Sequence, residues 1–364
     1  MRLGVEAAIV DGVLLPGDIE VADGRIAGVA LGLGGGRGIA VPGFVDLQVN
    51  GFGGVDFAAA DAAGYRRAGE ALLEAGVTAF QPTLITAPEA ELVAALGEVP
   101  SEAVGPQLLG VHLEGPFLSP DRLGAHPASA RRDPDPALLE RLLRAGPVGQ
   151  MTLAPELDGA LELVDLLHAR GVVVSCGHSN ATAAEAARAF DRGVATVTHL
   201  FNAMRPFAHR DPGIAGAALA REDVVVQLIL DTHHLADETA QLVWRAAAGR
   251  VALVTDAIAP AGTGLGDGQY RLGSVEVELR GGVARRADGV LAGSVLTMLE
   301  AVRNLHALGA PLVEAVAAAT SVPARVARQG SGVLRPGGAA DLVVLDDRLE
   351  IRAVLVGGNE RVAA

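Results

Sequence analysis

Eight apolar runs, alternating with helix-forming segments, constrain this chain more than any other feature. The runs lie at 44–50, 77–83, 108–114, 150–155, 172–177, 194–198, 225–230 and 251–255. Segments rich in Ala, Leu, Arg and Glu separate most of them, with helical periodicity at 137–145, 159–170, 183–192 and 237–248. Gly76, Gly171 and Gly193 stand where helices of this kind stop. Strand–helix alternation repeated eight times favours a closed (β/α)₈ TIM-like barrel over an open doubly wound sheet. A length of 364 residues leaves room for such a barrel and a smaller appendage.

The two ends of the chain supply the appendage. Residues 1–42 carry short β-like runs punctuated by Asp11-Gly12 and Asp23-Gly24, dipeptides suited to tight hairpins. The stretch LGLGGGRG (31–38) reads as a linker, since no helix and no lysine follow it as a phosphate loop requires. Residues 333–364 return to short strands, ADLVVLD and IRAVLVGG. The expected organisation is a small β-sandwich built from 1–42 and 333–364, flanking a barrel over 43–332. Within the barrel segment, 268–294 reads as an inserted hairpin, followed by helices at about 295–308 and 311–328.

Polar residues cluster where the apolar runs end, the position at which barrels of this type carry their chemistry. Glu114 ends the third run, His178 follows the fifth, His199 the sixth and Asp256 the eighth. His178 and His199 are one strand–helix repeat apart, which puts them on adjacent parallel strands. With Glu114 they form a His₂Glu set able to hold a divalent metal with an open position for water. Zinc suits that set first, with Fe²⁺, Co²⁺ or Mn²⁺ as alternatives. A metal lowers the pKa of a bound water toward neutrality, and Asp256 is placed to take its proton. His126, in the loop beyond Glu114, is a candidate to polarise a substrate carbonyl. His112 shares a strand face with Glu114 and reads as a supporting hydrogen-bond partner. Gln48 and Asn50 occupy the first-strand face where many barrel metallohydrolases carry His-x-His, so a single metal is expected. Asn202 and Ala203 follow a ligand-bearing strand, and Arg205, Arg210 and His234 stand close to strand ends. Together they point to an anionic substrate.

Composition removes several alternatives. All 29 basic residues are arginine, which excludes Schiff-base, phosphate-loop and carbamylated-lysine chemistry. A net charge of −14 argues against a nucleic acid or an anionic membrane as partner. Cys176, the lone cysteine, lies in an apolar run and can form no internal disulfide. Glu6 and Asp11 interrupt the N-terminal segment, making it a poor signal peptide, and no apolar stretch is long enough to span a membrane. A cytoplasmic location is expected.

Taken as a set, HLEGP, GHSNAT (177–182) and THLFNAM (198–204) resemble the N-acetylglucosamine-6-phosphate deacetylase family of amidohydrolases. PGFVDLQVNGFGGVDF (42–57), QPTLIT (81–86), TLAPE (152–156), RDPGIAG (210–216), VTDAIAPAG (254–262) and LAGSVLTM (291–298) extend the likeness nearly end to end. The resemblance implies metal held by Glu114, His178 and His199, Asp256 as general base, and His126 acting with the metal on the acetyl carbonyl. It also implies that Asn202, Ala203 and His234 contact a sugar phosphate and that Arg210 reaches in from a second subunit of a homodimer. Residues 231–234 read Asp-Thr-His-His where relatives carry Asp-Gly-x-His, so His233 competes with His234 for that role. A related hydrolase acting on the galactosamine epimer or on a cyclic amide is the alternative, and a non-catalytic binding protein is a more distant one.

Overall fold

The computed structural model describes residues 1–32 and 36–363; positions 33–35 of the expected glycine linker lie outside the described residues. Eight parallel strands form the barrel: Phe44–Val49, Val77–Ile85, Val111–Glu114, Val148–Leu153, Val173–Cys176, Thr196–Val197, Val225–Leu228 and Val251–Leu253. Each pairs with the next in sequence. Closure between the eighth and the first is slighter. A single bridge, Val49 to Ala257, carries it, with Asp256 N donating to the Gln48 carbonyl at 2.9 Å.

Several of the helices begin at local capping signals and bury one face. Asp135 accepts from the amides of Ala137 and Leu138 to start Pro136–Ala145, which buries Leu138, Leu139 and Leu142. Thr182 and Glu185 form a capping box for Ala183–Asp191, and Thr297 and Glu300 form another for Met298–Ala307. Gly76, Gly171 and Gly193 take positive φ at helix ends, as their positions predict. The expected helix over 311–328 is instead two short ones, Leu312–Ala318 and Ser321–Val326. Thr320 between them has a non-helical backbone at φ −135°.

The chain ends do pair. Leu342–Leu345 lies antiparallel to Ile39–Pro42 inside a six-stranded sheet that mixes N- and C-terminal strands. The Asp18–Ala22/Arg25–Leu31 hairpin forms the second layer, and Val5, Ile19, Val21, Ile26, Ala40, Leu342, Val344 and Leu355 fill the space between. Asp11-Gly12 and Asp23-Gly24 have positive φ at all four residues, which is the tight-hairpin conformation. The inserted segment is a three-stranded antiparallel sheet rather than a hairpin: Gly268–Leu272, Val275–Arg280 and Val283–Arg285. Its apolar side packs on Ile85, Ala125 and Ile258 at the rim of the barrel. No helix among the described residues is long and apolar enough to cross a membrane.

Candidate metal centre

The strand ends bring Glu114, His178 and His199 together, all buried. Glu114 Oε1 lies 3.1 Å from His178 Nε2 and 2.9 Å from His199 Nε2, and the two ring nitrogens are 3.1 Å apart. A tetrahedral ion with bonds of 2.0–2.1 Å separates its ligands by about 3.3 Å, close to this triangle. Proton placement leads to the same conclusion. His178 Nδ1 faces the Arg122 carbonyl at 3.0 Å and so carries the ring proton, because burial holds this imidazole down at about 4 and keeps it neutral. Its Nε2 lone pair therefore points at a carboxylate oxygen, an acceptor facing an acceptor. A cation between them removes that repulsion. The donor set is that of a divalent-metal site.

Burial opposes the charge of Glu114, but the imidazoles of His126, His178 and His199 gathered around it outweigh burial and hold the carboxyl well below its ordinary value. Burial also opposes a proton on His199. There the Glu114 hydrogen bond and charge prevail, and its pKa is raised.

Asp256 stands across the cavity from these ligands. Its Oδ1 accepts from Gln48 Nε2 at 3.1 Å and from Asn50 Nδ2 at 2.7 Å, which leaves Oδ2 as the oxygen with lone pairs to spare. Burial first, and then the Glu114 charge, raise this carboxyl to about 6. Gln48 Nε2 also donates to Glu114 Oε1 at 3.1 Å, so one amide spans both carboxylates. The first-strand residues read only as replacements for histidine thus have a hydrogen-bonding task of their own.

His126 is brought into the site. The Thr86 amide donates to its Nδ1 at 3.2 Å, which puts the ring proton on Nε2, 3.5 Å from Glu114 Oε2. His112 lies below the centre as expected, hydrogen-bonded to Thr152 Oγ1 at 2.7 Å and Thr83 Oγ1 at 3.2 Å. Burial lowers its pKa to about 4.

Asn202, Ala203, His234, Asp256 and the Glu114, His178 and His199 cluster all line one cavity of about 280 Å³. His234 rather than His233 faces it; His233 is exposed and borders a separate groove. His234 Nδ1 is held by Asp231 Oδ2 at 2.7 Å. Thr232 adopts φ +67°, the left-handed region in which glycine is at ease, so the fold keeps a glycine-like turn with a β-branched residue in it. Arg210 is exposed and does not line the cavity of its own chain, and Arg205 is bound to Asp211 at 2.6 Å.

Three contributors were missed by reasoning from sequence. The rim sheet and the strand leaving it supply Leu272, Val290 and Leu291 to the cavity wall. Thr86 orients His126. Glu156 accepts from Ser179 Oγ at 2.7 Å and from Asn180 N at 2.6 Å, clamping the turn that presents His178. Thr86 and Glu156 close the QPTLIT and TLAPE motifs, so a signal was present, but nothing in sequence spacing assigned it a partner.

A barrel with a His₂Glu cluster and an opposed aspartate at its strand ends defines a metal-dependent hydrolase, and the amidohydrolase family profile matches residues 39–361. The chain belongs to the amidohydrolase family, in the branch of the N-acetylglucosamine-6-phosphate deacetylases. It is 40% identical over 344 residues to the N-acetylglucosamine-6-phosphate deacetylase of Mus musculus, covering 89% of this chain and 83% of that one. The N-acetylgalactosamine-6-phosphate deacetylase of Escherichia coli is 36% identical, covering 87% and 86%. Among solved structures, the Mycobacterium smegmatis N-acetyl-D-glucosamine-6-phosphate deacetylase in complex with N-acetyl-D-glucosamine-6-phosphate superposes with a TM-score of 0.94. It is 37% identical and covers 100% of this chain and 99% of that one.

Proposed function

We propose that this chain hydrolyses the N-acetyl group of N-acetylglucosamine 6-phosphate, giving acetate and glucosamine 6-phosphate. The observation that carries the reading is the convergence of Glu114, His178 and His199 opposite Asp256 in one cavity that also holds Asn202, Ala203 and His234. Several similar proteins bear the name of that activity. Glu114, His178 and His199 would hold one divalent ion per chain, which we take to be zinc. When bound, it would supply Lewis acidity, making water nucleophilic near neutral pH and polarising the acetyl carbonyl.

The chain's own groups do the rest. Asp256 Oδ2 takes a proton from the attacking water, and His126 donates from Nε2 to the carbonyl oxygen as its negative charge grows. Asp256 then returns the proton to the amide nitrogen, the C–N bond breaks, and the amine leaves. Asn202, Ala203 and His234 bind the 6-phosphate end, and Arg210, exposed on its own chain, reaches the site of a second copy in a homodimer. Gln48 and Asn50 fill the place of a second metal's ligands, in keeping with one ion. We further divide the chain into a barrel over 43–332 and a sandwich of 1–42 with 333–364, and place it in the cytoplasm.

The test is acetate release by protein of known metal content. The substrates are N-acetylglucosamine 6-phosphate, its galactosamine epimer and unphosphorylated N-acetylglucosamine. Turnover confined to the phosphorylated glucosamine derivative is expected. Faster turnover of the galactosamine epimer would move the reading to the second relative's activity, and equal turnover of the unphosphorylated sugar would remove the phosphate site.

A further inference from the structure

The barrel is least well closed where its general base sits. Other neighbouring strands share ladders of paired residues, whereas the first and eighth are joined by the one bridge at Val49 and Ala257. Asp46, fully buried on the first strand, makes up the deficit. Its Oδ1 accepts from the amides of Gln48 and Thr255, each at 3.2 Å, and its Oδ2 accepts from Thr255 Oγ1 at 2.6 Å. Three donors from both sides of the seam thus converge on one carboxyl.

Much of what orients Asp256 hangs from the two residues Asp46 grips, alongside the direct bonds from Asn50 Nδ2 and Ser294 N. Thr255 precedes Asp256 in the chain, its carbonyl accepts from Ser294 Oγ at 2.6 Å, and its hydroxyl oxygen accepts from Ala257 N at 3.2 Å. Gln48 receives the Asp256 amide on its carbonyl and reaches both Asp256 Oδ1 and Glu114 Oε1 with its side chain. Asp256 itself has φ +49°, a left-handed conformation that a non-glycine residue holds only when its neighbours over-determine it. Asp46 touches neither the cavity nor the ligands.

We propose that Asp46 is a positioning residue for the hydrolysis: by stapling the first strand to the eighth, it sets where Asp256 stands relative to Glu114. This rests on the reading of Asp256 as the base. Nothing in the family's expected site residues assigns Asp46 such a role; its place in the fold does.

The test measures kcat, KM, metal content and melting temperature for Asp46→Ala, Asp46→Asn, Thr255→Val and Thr255→Ser, in the parent and in an Asp256→Asn background. Misplacing a catalytic group by about 1 Å costs on the order of 10²-fold in rate, so Asp46→Ala and Thr255→Val are expected to lose about that much kcat. KM should stay within about threefold and metal content near one per chain, because the ligands are untouched. Asp46→Asn and Thr255→Ser, which keep the hydrogen-bonding groups, should recover most of the rate. In the Asp256→Asn background the same substitutions should cost less than about threefold, since the group they position is gone. An equal loss in both backgrounds, or a loss that follows metal content, overturns the proposal. Should Asp46→Ala fail to fold, Thr255→Val carries the comparison. Full activity of Asp256→Asn alone would defeat the base assignment instead, a separate result from the coupling.

Discussion

Asp46 should cost the protein stability above neutral pH, and the size of that cost follows from its surroundings. Burial raises its pKa from the ordinary 3.8 to about 7 against the hydrogen bonds from Thr255 and Gln48, which pull it down. A carboxyl whose folded pKa lies above its unfolded one contributes its full stability below 3.8. It loses that stability as pH rises through about 7, because the unfolded chain gives up the proton more readily. A shift of about three units is worth about 4 kcal/mol by pH 8. Asp46→Asn mimics the protonated acid: its oxygen can accept the two amides, and its NH₂ can donate to Thr255 Oγ1, whose own proton turns to the Gln48 carbonyl at 3.3 Å. The variant should therefore match the parent near pH 4 and melt higher at pH 8. For a chain of 364 residues the gain is about 5 °C. Paired thermal melts from pH 4 to 8 read it directly. Parallel pH profiles would show that Asp46 does not change protonation in that range. A variant that falls behind at pH 8 would show that the three hydrogen bonds outweigh burial, reversing the argument.

The remaining expectations concern the site. Asp256 must be ionised to act as a base, and with its carboxyl raised to about 6 the acid limb of kcat/KM should fall at or below pH 6, a bound cation moving it lower; a limb above pH 7 would contradict the assignment. Glu156→Ala frees Ser179 and Asn180 beside His178 and should weaken metal affinity about 10–100-fold in competition with a chromogenic chelator; unchanged affinity would make the clamp irrelevant. Stripping the metal with a chelator should abolish turnover and lower the melting temperature, with Zn²⁺ restoring both, whereas chelator-resistant turnover would remove the metal from the reaction.

Strand existence and order were legible because each barrel strand is a short apolar run bounded by glycine or a polar terminus. The helices were legible through their periodicity and caps. The clustering of the candidate site residues was legible for a related reason: a charged or imidazole side chain at the end of a buried run needs a partner, and Glu114, His178, His199 and Asp256 all stood at such ends. What stayed hidden depends on contacts between residues far apart in sequence. Gln48 lies 208 positions from Asp256 and Thr86 lies 40 from His126. No spacing rule connects such pairs. The 311–328 helix was misread because alanine and valine continue the periodicity through Thr320, where the backbone breaks. The rim sheet was read as one hairpin because its third strand is only three residues long.

The strands were read as apolar runs, yet their inward faces are polar. Thr152 on the fourth strand bonds Thr198, just beyond the sixth, at 2.7 Å; a contact that skips the fifth strand crosses the barrel interior. His112 joins Thr152 on one side and Thr83 on the other, and Ser175 joins Thr198. Gln81 and Gln227, also buried, donate to the Leu109 carbonyl and to Thr196 Oγ1, whereas the buried Gln150 side chain has no hydrogen-bond partner. The apolar alternates, such as Val111 and Leu113 or Met151 and Leu153, face the helices and form the main core. Barrel interiors are usually packed with branched aliphatic side chains. A hydroxyl- and amide-lined interior gains less from burial, since each polar group must find a partner merely to break even. What it provides is direction. Side-chain hydrogen bonds join the first strand to the eighth and run from the second through the third and fourth to the end of the sixth, so the strand ends carrying Glu114, His178, His199 and Asp256 are held from below by bonds of fixed geometry. Apolar packing alone would tolerate small slips of one strand against its neighbour. A centre whose ligands must meet within about a tenth of an ångström of their bond lengths cannot, and the polar interior is the means by which this sequence prevents them.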